Sequence, residues 1–381
     1  MTNSKAPSSM QPLIERATAR PLRSHHWSDA SVSQRLSHIG KFVAVTPSLQ
    51  SSISFIQTLM ASHLTAPEGE IAFLLGETRA GKTTAINEVI AETAEETGGQ
   101  IVSRILDDQR DSEAMVSVLV KTPNGWERPI VKIFVPKAPT FKALLNDVLL
   151  AFDIKLPRSA TFAERQLALG RQLKGQATRL VVFDDTQHIC EQGKTSAAYE
   201  GADVFKVLAK TGQAQVLCVG LEHTIEIKDA NPQAEWLGGE VHVVKPHDIT
   251  AERSSSLATY CATLNKELPF DTPSALGEPD VFLPLGTYCD GYEGRIATIV
   301  RLAARYAIAR NLPCLNRVVF ENYLRDKLQI ADQENPFRMT AEDLETLPAL
   351  VAAARKDRIV SAEKRRSQGK RNRTAFGARG R

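Results

Sequence analysis

Ile71-Ala72-Phe73-Leu74-Leu75-Gly76-Glu77-Thr78-Arg79-Ala80-Gly81-Lys82-Thr83-Thr84 decides the fold. Five apolar residues predict a buried strand. The glycine-bearing turn after them reads G-x-x-x-x-G-K-T, and the residues beyond it have helical apolar spacing. Strand, glycine loop and helix start in that order form a phosphate-binding loop. Its two glycines let the backbone wrap an anion, and the amides from Arg79 to Thr83 face the phosphate. The positive end of the following helix adds its dipole. In this reading Gly76 to Thr84 bind the nucleotide, Lys82 offsets the charge of its terminal phosphates and Thr83 is a Mg²⁺ ligand.

Such a loop needs a carboxylate at the end of a neighbouring strand. Arg179-Leu180-Val181-Val182-Phe183-Asp184-Asp185 supplies two. A run of four apolar residues predicts a strand buried on both faces, whose last residues emerge at the sheet edge where open α/β sheets bind ligands. Asp184 is read as the second Mg²⁺ residue, acting through water. Asp185 is read as the base that polarises the attacking water. Aspartate is one methylene shorter than the glutamate usual at that place, so slow ATP turnover is expected.

The 381 residues are 43% hydrophobic and 24% charged, enough for one large and one smaller domain. No stretch approaches the ~20 apolar residues of a membrane span, and Met1 to Arg20 is polar, so a cytoplasmic protein is expected, with no membrane partner. The five cysteines are odd in number and lack C-x-x-C spacing, which argues against a disulfide framework or a zinc site. From Arg355 to Arg381 there are eleven Lys or Arg and two acids, a local +9. Since the whole chain carries +3, the remainder is left at −6. That tail has no apolar periodicity, reads as a disordered basic arm, and points to nucleic acid as a partner class.

Along the chain we read a disordered N-terminus at 1–26, a helical extension at 27–66, an α/β nucleotide-binding unit at 67–247, a helical lid at 248–337 and a C-terminal extension with the basic tail at 338–381. Within the α/β unit, Met115 to Lys121 and Pro129 to Val135 are strand-like around the turn signal Pro123-Asn124-Gly125. They predict a β-hairpin insertion at about 115–135 carrying Lys121, Arg128 and Lys132 as candidate contacts to duplex DNA. Helices are expected over Gly81 to Thr97, after Pro139-Thr140, over Phe162 to Leu173 and near Tyr199 to Lys210. A buried strand is expected at Gln215 to Gly220 and a last strand at Glu240 to Val244. Alternation of strands and helices predicts a parallel central sheet flanked by helices.

The order of phosphate loop, two-carboxylate strand followed by Thr186-Gln187-His188, a further strand, and a helical segment containing Asp290-Gly291-Tyr292-Glu293-Gly294-Arg295 resembles an AAA+ P-loop ATPase. Together with the Pro139-Thr140 helix start, Ala230-Asn231-Pro232-Gln233 and Asn335-Pro336-Phe337, it resembles the TniB/TnsC family of transposition regulators over about Val32 to Phe337. The resemblance implies an ATPase that oligomerises as a ring or filament on duplex DNA. It would recruit or activate a transposase, in some cases through a target selector. It further implies that Arg295 is a lid sensor of the γ-phosphate and that Gln187 and His188 relay the nucleotide state.

Two departures stand out. The family's arginine after the Pro-Gln element is missing from Gln233 to Gly239, leaving Lys206, Lys210 and Lys228 as substitutes, and Leu221 follows Gly220 where a polar sensor is expected. The missing arginine and Asp185 keep open an ATP-binding switch without useful turnover, and a replication-initiator or helicase-loader-like ATPase of the same superfamily is the other alternative.

Overall fold

Three strands without a solvent-facing residue form the centre of the molecule's sheet: β2 (Ile71–Leu75), β7 (Leu180–Asp184) and β8 (Gln215–Gly220). Each apolar side chain withdrawn there contributes about 1.5–3 kcal/mol, which is why continuous apolar runs rather than alternating ones mark these strands. The computed structural model describes residues 11–12, 26–41, 43–105, 114–137, 139–191, 203–229, 238–250, 253–340 and 342–344. The basic tail, nearly all of the polar N-terminus, Ala230-Asn231-Pro232-Gln233 and most of the arginine-free stretch after it lie outside the described residues.

Among the described residues the sheet runs β1 (Gln11–Pro12), β3 (Gln100–Ile105), β4 (Ala114–Thr122), β6 (Ile130–Phe134), β7, β8, β2 and β9 (Gly238–Val243), with β5 (Gly125–Glu127) paired to β4 alone. From β6 to β9 all pairings are parallel, whereas β1, β3, β4 and β6 pair antiparallel. The sheet is therefore mixed, a parallel half extended by an antiparallel half, where a parallel sheet is expected from the sequence.

The expected hairpin insertion needs correction on the same ground. β4 does turn back and pair with β6, at Val116 to Lys132 and Ser117 to Val131, but both strands belong to the central sheet. Met115, Val118, Ile130, Val131 and Ile133 are buried. Only the short β4–β5 turn projects, with Lys121 exposed opposite Trp126 and Gly125 at φ 136°.

Helices α2 (Pro47–Ser62), α3 (Lys82–Thr97), α4 (Phe141–Ala151) and α5 (Phe162–Gly175) flank the sheet. Their starts follow capping chemistry. Thr46 Oγ1 accepts from the Leu49 amide ahead of Pro47, Thr140 Oγ1 from the Ala143 amide, and Thr161 and Glu164 close a reciprocal capping box. Gly98, in the left-handed region, ends α3. Residues 199–202 of the helix expected near Tyr199 are not described. Its continuation from Asp203 ends in a π turn at Leu208–Gly212.

The described residues divide into two compact units, one of those within 11–12 and 45–245, the other of those within 26–44 and 246–344. The second is helical: α1 (Val32–Lys41), α7 (Ser255–Lys266), α8 (Pro279–Tyr288), α9 (Glu293–Ala309) and α10 (Arg317–Leu328) enclose their own core of Leu257, Cys261, Leu285, Ile296, Ala304, Phe320 and Phe337. The extension read at 27–66 consequently splits. Trp27 and Ser28 amides donate to the Asp271 carboxylate at 2.6 and 2.7 Å, Arg35 Nε donates to Pro269 O, and Ile39 enters the helical core. Helix α2 instead packs on α3 in the sheet unit.

Candidate functional site

Leaving β2, the chain turns at Gly76 (φ 154°), whose amide donates to Gly220 O at 3.1 Å. A Cβ at Gly76 would press on Val244 O at 3.0 Å. Arg79 and Gly81 adopt φ of 63° and 106°, and α3 begins at Lys82 with Gly81 as a side-chain-free N-cap. A Cβ on Gly81 would meet nothing within 4 Å, so the loop faces open space at the position where backbone must come close to an anion. Ala80, turned inward at 3% exposure, anchors the loop, while Glu77, Thr78 and Arg79 are exposed and Thr84 lies in the first turn of α3.

Lys82 Nζ donates to Gly76 O at 2.6 Å and Glu77 O at 2.9 Å, folded back across the loop it belongs to. Burial pulls its pKa below the ordinary lysine value, opposed by the charges of Asp184, Asp185 and Glu77. Thr83 Oγ1 donates to Asp184 Oδ2 at 3.3 Å, so two hard oxygen groups from α3 and β7 stand side by side. Hydroxyl plus carboxylate is the donor set that suits Mg²⁺.

Asp185 follows β7 at φ 58°, a left-handed conformation that aspartate tolerates better than most residues. Its amide donates to Asp184 Oδ1 at 3.1 Å. The turn is then fastened from two sides: the Thr186 amide donates to Val219 O at 2.8 Å, and Thr186 Oγ1 donates to Phe183 O at 2.7 Å. Gln187 Nε2 donates to Asp185 Oδ1 at 3.0 Å, tying the side chain of α6 (Gln187–Cys190) to the carboxylate. Gln187 Oε1 and Thr224 Oγ1 are buried without a hydrogen-bond partner among the described residues, and both abut Gly220. His188 Nδ1 donates to Val135 O at 2.8 Å and its ring meets Phe134 edge-on, so it bridges the ends of β7 and β6.

Lys132, expected on a DNA-facing hairpin, is instead part of this cluster. In the β6–β7 register Lys132 lies opposite Val182 and Phe134 opposite Asp184, so Lys132 and Asp184 point to the same face two residues apart. Nζ reaches Asp184 Oδ2 at 3.0 Å, with the side chains 12% and 10% exposed. Arg128 is also withdrawn, at 3% exposure, where its guanidinium pairs with Asp153 at 2.7 Å and donates to Gln176 Oε1 at 2.9 Å. Both charges are taken up inside the protein, and of the three hairpin candidates only Lys121 is exposed.

Arg295 lies in the helical unit at the start of α9, paired with Asp290 and stacked 4.6 Å over Tyr292. Gly291 in that turn holds φ 71° because a Cβ would strike His247 O. Of the lysines weighed as substitutes for the missing arginine, Lys206 pairs with Asp203 at 2.6 Å and Lys228 donates to Gly239 O at 3.0 Å. No group of His, Cys, Asp and Glu able to hold a metal ion by itself occurs among the described residues, and none of their helices is long and apolar enough to cross a membrane.

Sequence reasoning gave Lys132 to DNA rather than to this cluster, although a single lysine inside Ile130-Val131-Lys132-Ile133-Phe134 carries a signal: a charge on an otherwise apolar strand calls for a buried counter-charge. It also missed the Gly220–Thr224–Gln187 packing, which has no sequence signature because the three meet only in the fold.

Residues 67–227 match the family model described as an AAA domain. No curated protein matches the chain. Among solved structures, Cdc6p from Pyrobaculum aerophilum aligns over 78% of this chain and 72% of its own, at 13% identity and TM-score 0.51. The Aeropyrum pernix Orc1 protein in complex with DNA aligns over 76% and 68%, at 15% identity and TM-score 0.44, and Drosophila ORC bound to DNA over 84% and 70%, at 11% and 0.47. The fold is that of an AAA+ P-loop ATPase: a central sheet, parallel from β6 to β9 and flanked by helices, followed in the chain by C-terminal helices.

Proposed function

We propose that this chain is an ATP-dependent AAA+ regulator of DNA transposition, which oligomerises on duplex target DNA and recruits or activates a transposase, with slow ATP hydrolysis as the reset. The observation that carries the nucleotide part is the meeting of Lys82, Thr83, Asp184 and Asp185 at the carboxyl ends of β2 and β7. The transposition part rests on the resemblance of the Asp184-Asp185-Thr186-Gln187-His188 run and the other short runs to TniB/TnsC proteins.

Each residue has a definite task in this reading. Loop amides and the start of α3 receive the phosphates, and Lys82 supplies the charge that offsets them. Thr83 and Asp184 would hold Mg²⁺, which when bound withdraws electron density from the phosphoryl group. Asp185 accepts hydrogen bonding from the attacking water and Gln187 fixes its orientation. His188, fastened to β6, joins the nucleotide end of β7 to the antiparallel half of the sheet, which is the path assigned to the relay. Arg295 is read as the lid sensor. Of the basic groups expected to meet DNA, Lys121 and the basic tail would approach its phosphates, giving contacts that fix position without reading bases.

A second reading, an initiator or loader of the Cdc6 kind, is favoured by the likeness to Cdc6p, although that likeness carries the fold alone. The two separate in one experiment. With ATP and duplex DNA, the purified protein is offered a transposase of the kind that TniB/TnsC proteins serve, or a replicative helicase. ATP-dependent co-assembly with the transposase supports the first reading, and helicase loading supports the second. ATP-driven assembly with no measurable turnover would leave a switch.

A further inference from the structure

Asp184 is held by three groups at once: the Lys132 ammonium on Oδ2 at 3.0 Å, the Thr83 hydroxyl on the same oxygen at 3.3 Å, and the Asp185 amide on Oδ1 at 3.1 Å. Lys82 adds a fourth influence through its charge. A carboxylate so engaged has already spent much of its negative field on a fixed cation within the protein. Both partners are about nine-tenths out of solvent, so screening by water and salt is weak and the pair interacts strongly.

Register explains why the two groups meet. Lys132 is central in β6, between buried Val131 and Ile133, and β6 pairs with β7 from Ile130 to Phe134. The side chain emerges on the face from which Asp184 emerges and has only the length of two strand residues to cross. A lysine is long enough for this, and its head meets a carboxylate where its stem leaves the core.

From this geometry we infer that Lys132 sets the metal dependence of nucleotide binding: it is a positioning cation that competes with Mg²⁺ for Asp184 and supplies positive charge to the site when the metal is absent. The inference rests on reading the site as one for a nucleoside triphosphate and Mg²⁺. Two consequences follow from charge alone. A divalent cation beside Asp184 meets a carboxylate whose field Lys132 reduces, so the metal adds less to nucleotide affinity than in a site without that lysine. A metal-free triphosphate, by contrast, enters a site holding Lys82 and Lys132 together, so it retains affinity.

The test is the ratio of ATP affinity in Mg²⁺ to that in EDTA, measured by calorimetry on the full chain. Lys132→Met should raise the ratio by roughly tenfold or more, mainly by weakening binding in EDTA. Lys132→Arg, which keeps the charge, should leave it near the wild-type value. In an Asp184→Asn background the Lys132→Met change should still weaken binding in EDTA, because that effect is direct, but should no longer strengthen binding in Mg²⁺, because that effect acts through the carboxylate. Should the methionine variant not fold, Lys132→Gln carries the same expectation. A ratio unchanged or lowered in the folded neutral variants, or raised equally by arginine, overturns the inference and leaves Lys132 as a structural ion pair. Absence of ATP binding by the wild-type protein would instead remove the nucleotide reading beneath it.

Discussion

Gln187 Nε2 donates to Asp185 Oδ1 at 3.0 Å, while the other amide atom, Oε1, is buried beside Gly220. Because Asp185 sits in the left-handed region directly after β7, its carboxylate is aimed by the turn and steadied by this one amide. Asp185→Asn should therefore leave ATP binding in place and lower hydrolysis by about 10²-fold or more. Gln187→Ala should cost roughly ten- to a hundredfold, the effect of a base that is present but loosely placed. Single-turnover hydrolysis beside equilibrium binding distinguishes the two steps. Wild-type turnover in Gln187→Ala would mean that the turn alone aims Asp185.

Gly220 is a packing requirement rather than a conformational one. A Cβ there would run into Thr224 Oγ1 and lie 2.8 Å from Gln187 Oε1. Gly220→Ala should destabilise the sheet unit by about 1–3 kcal/mol, as overpacking does. It should also disturb hydrolysis through Gln187. Denaturant titration gives the first number, and a variant as stable as wild type would show that Gln187 relaxes freely.

The pH dependence of nucleotide binding follows from Lys82. Burial lowers its pKa in the nucleotide-free protein, so the ammonium is present below that lowered value and is lost as pH rises through it. ATP affinity should be full at neutral pH and decline on the alkaline side, starting at lower pH than an ordinary lysine would give. Lys82→Arg, which stays charged, should remove the decline. Affinity titrations across the alkaline range check this, and an identical decline in the arginine variant would assign it to another group.

Charge distribution sets the expectation for DNA. With Arg128 and Lys132 committed to Asp153 and Asp184, Lys121 is the exposed member of the three hairpin candidates, beside the basic residues of 362–381. Removing 362–381 should preserve ATP binding and weaken DNA association most at low salt. Lys121→Ala should shift the slope of log affinity against log salt by about one unit if it makes one phosphate contact. DNA affinity unchanged by the truncation, with transposase recruitment lost, would make the tail a docking arm.

Much of this was legible before the fold was. Ile71 to Thr84 and Leu180 to Asp185 announce themselves because strand burial, glycine conformation and phosphate chemistry act on adjacent residues. Helices at Phe141 and Phe162 start where their threonine caps place them. Residues 115–135 read as a hairpin insertion from sequence because local alternation says that two strands pair and not what lies on their far sides. β6 has β7 there, and β7 brings Asp184 to Lys132. The stretch from Trp27 to Ala66 looked like one extension because its helices share a period. Their separation into two units depends on Asp271 and α3, remote in sequence.

The central claim is that the loop from Gly76 to Thr84 binds ATP and that ATP drives assembly on duplex DNA. It is tested most directly by measuring the mass of wild-type and Lys82→Ala protein on a DNA duplex, with and without Mg-ATP. The account predicts ATP-dependent multimers on DNA for the wild type and none for Lys82→Ala, whose ATP affinity falls because the offsetting charge is gone while the fold, judged by circular dichroism, stays intact. Full assembly by Lys82→Ala at the ATP concentration that suffices for wild type would contradict it.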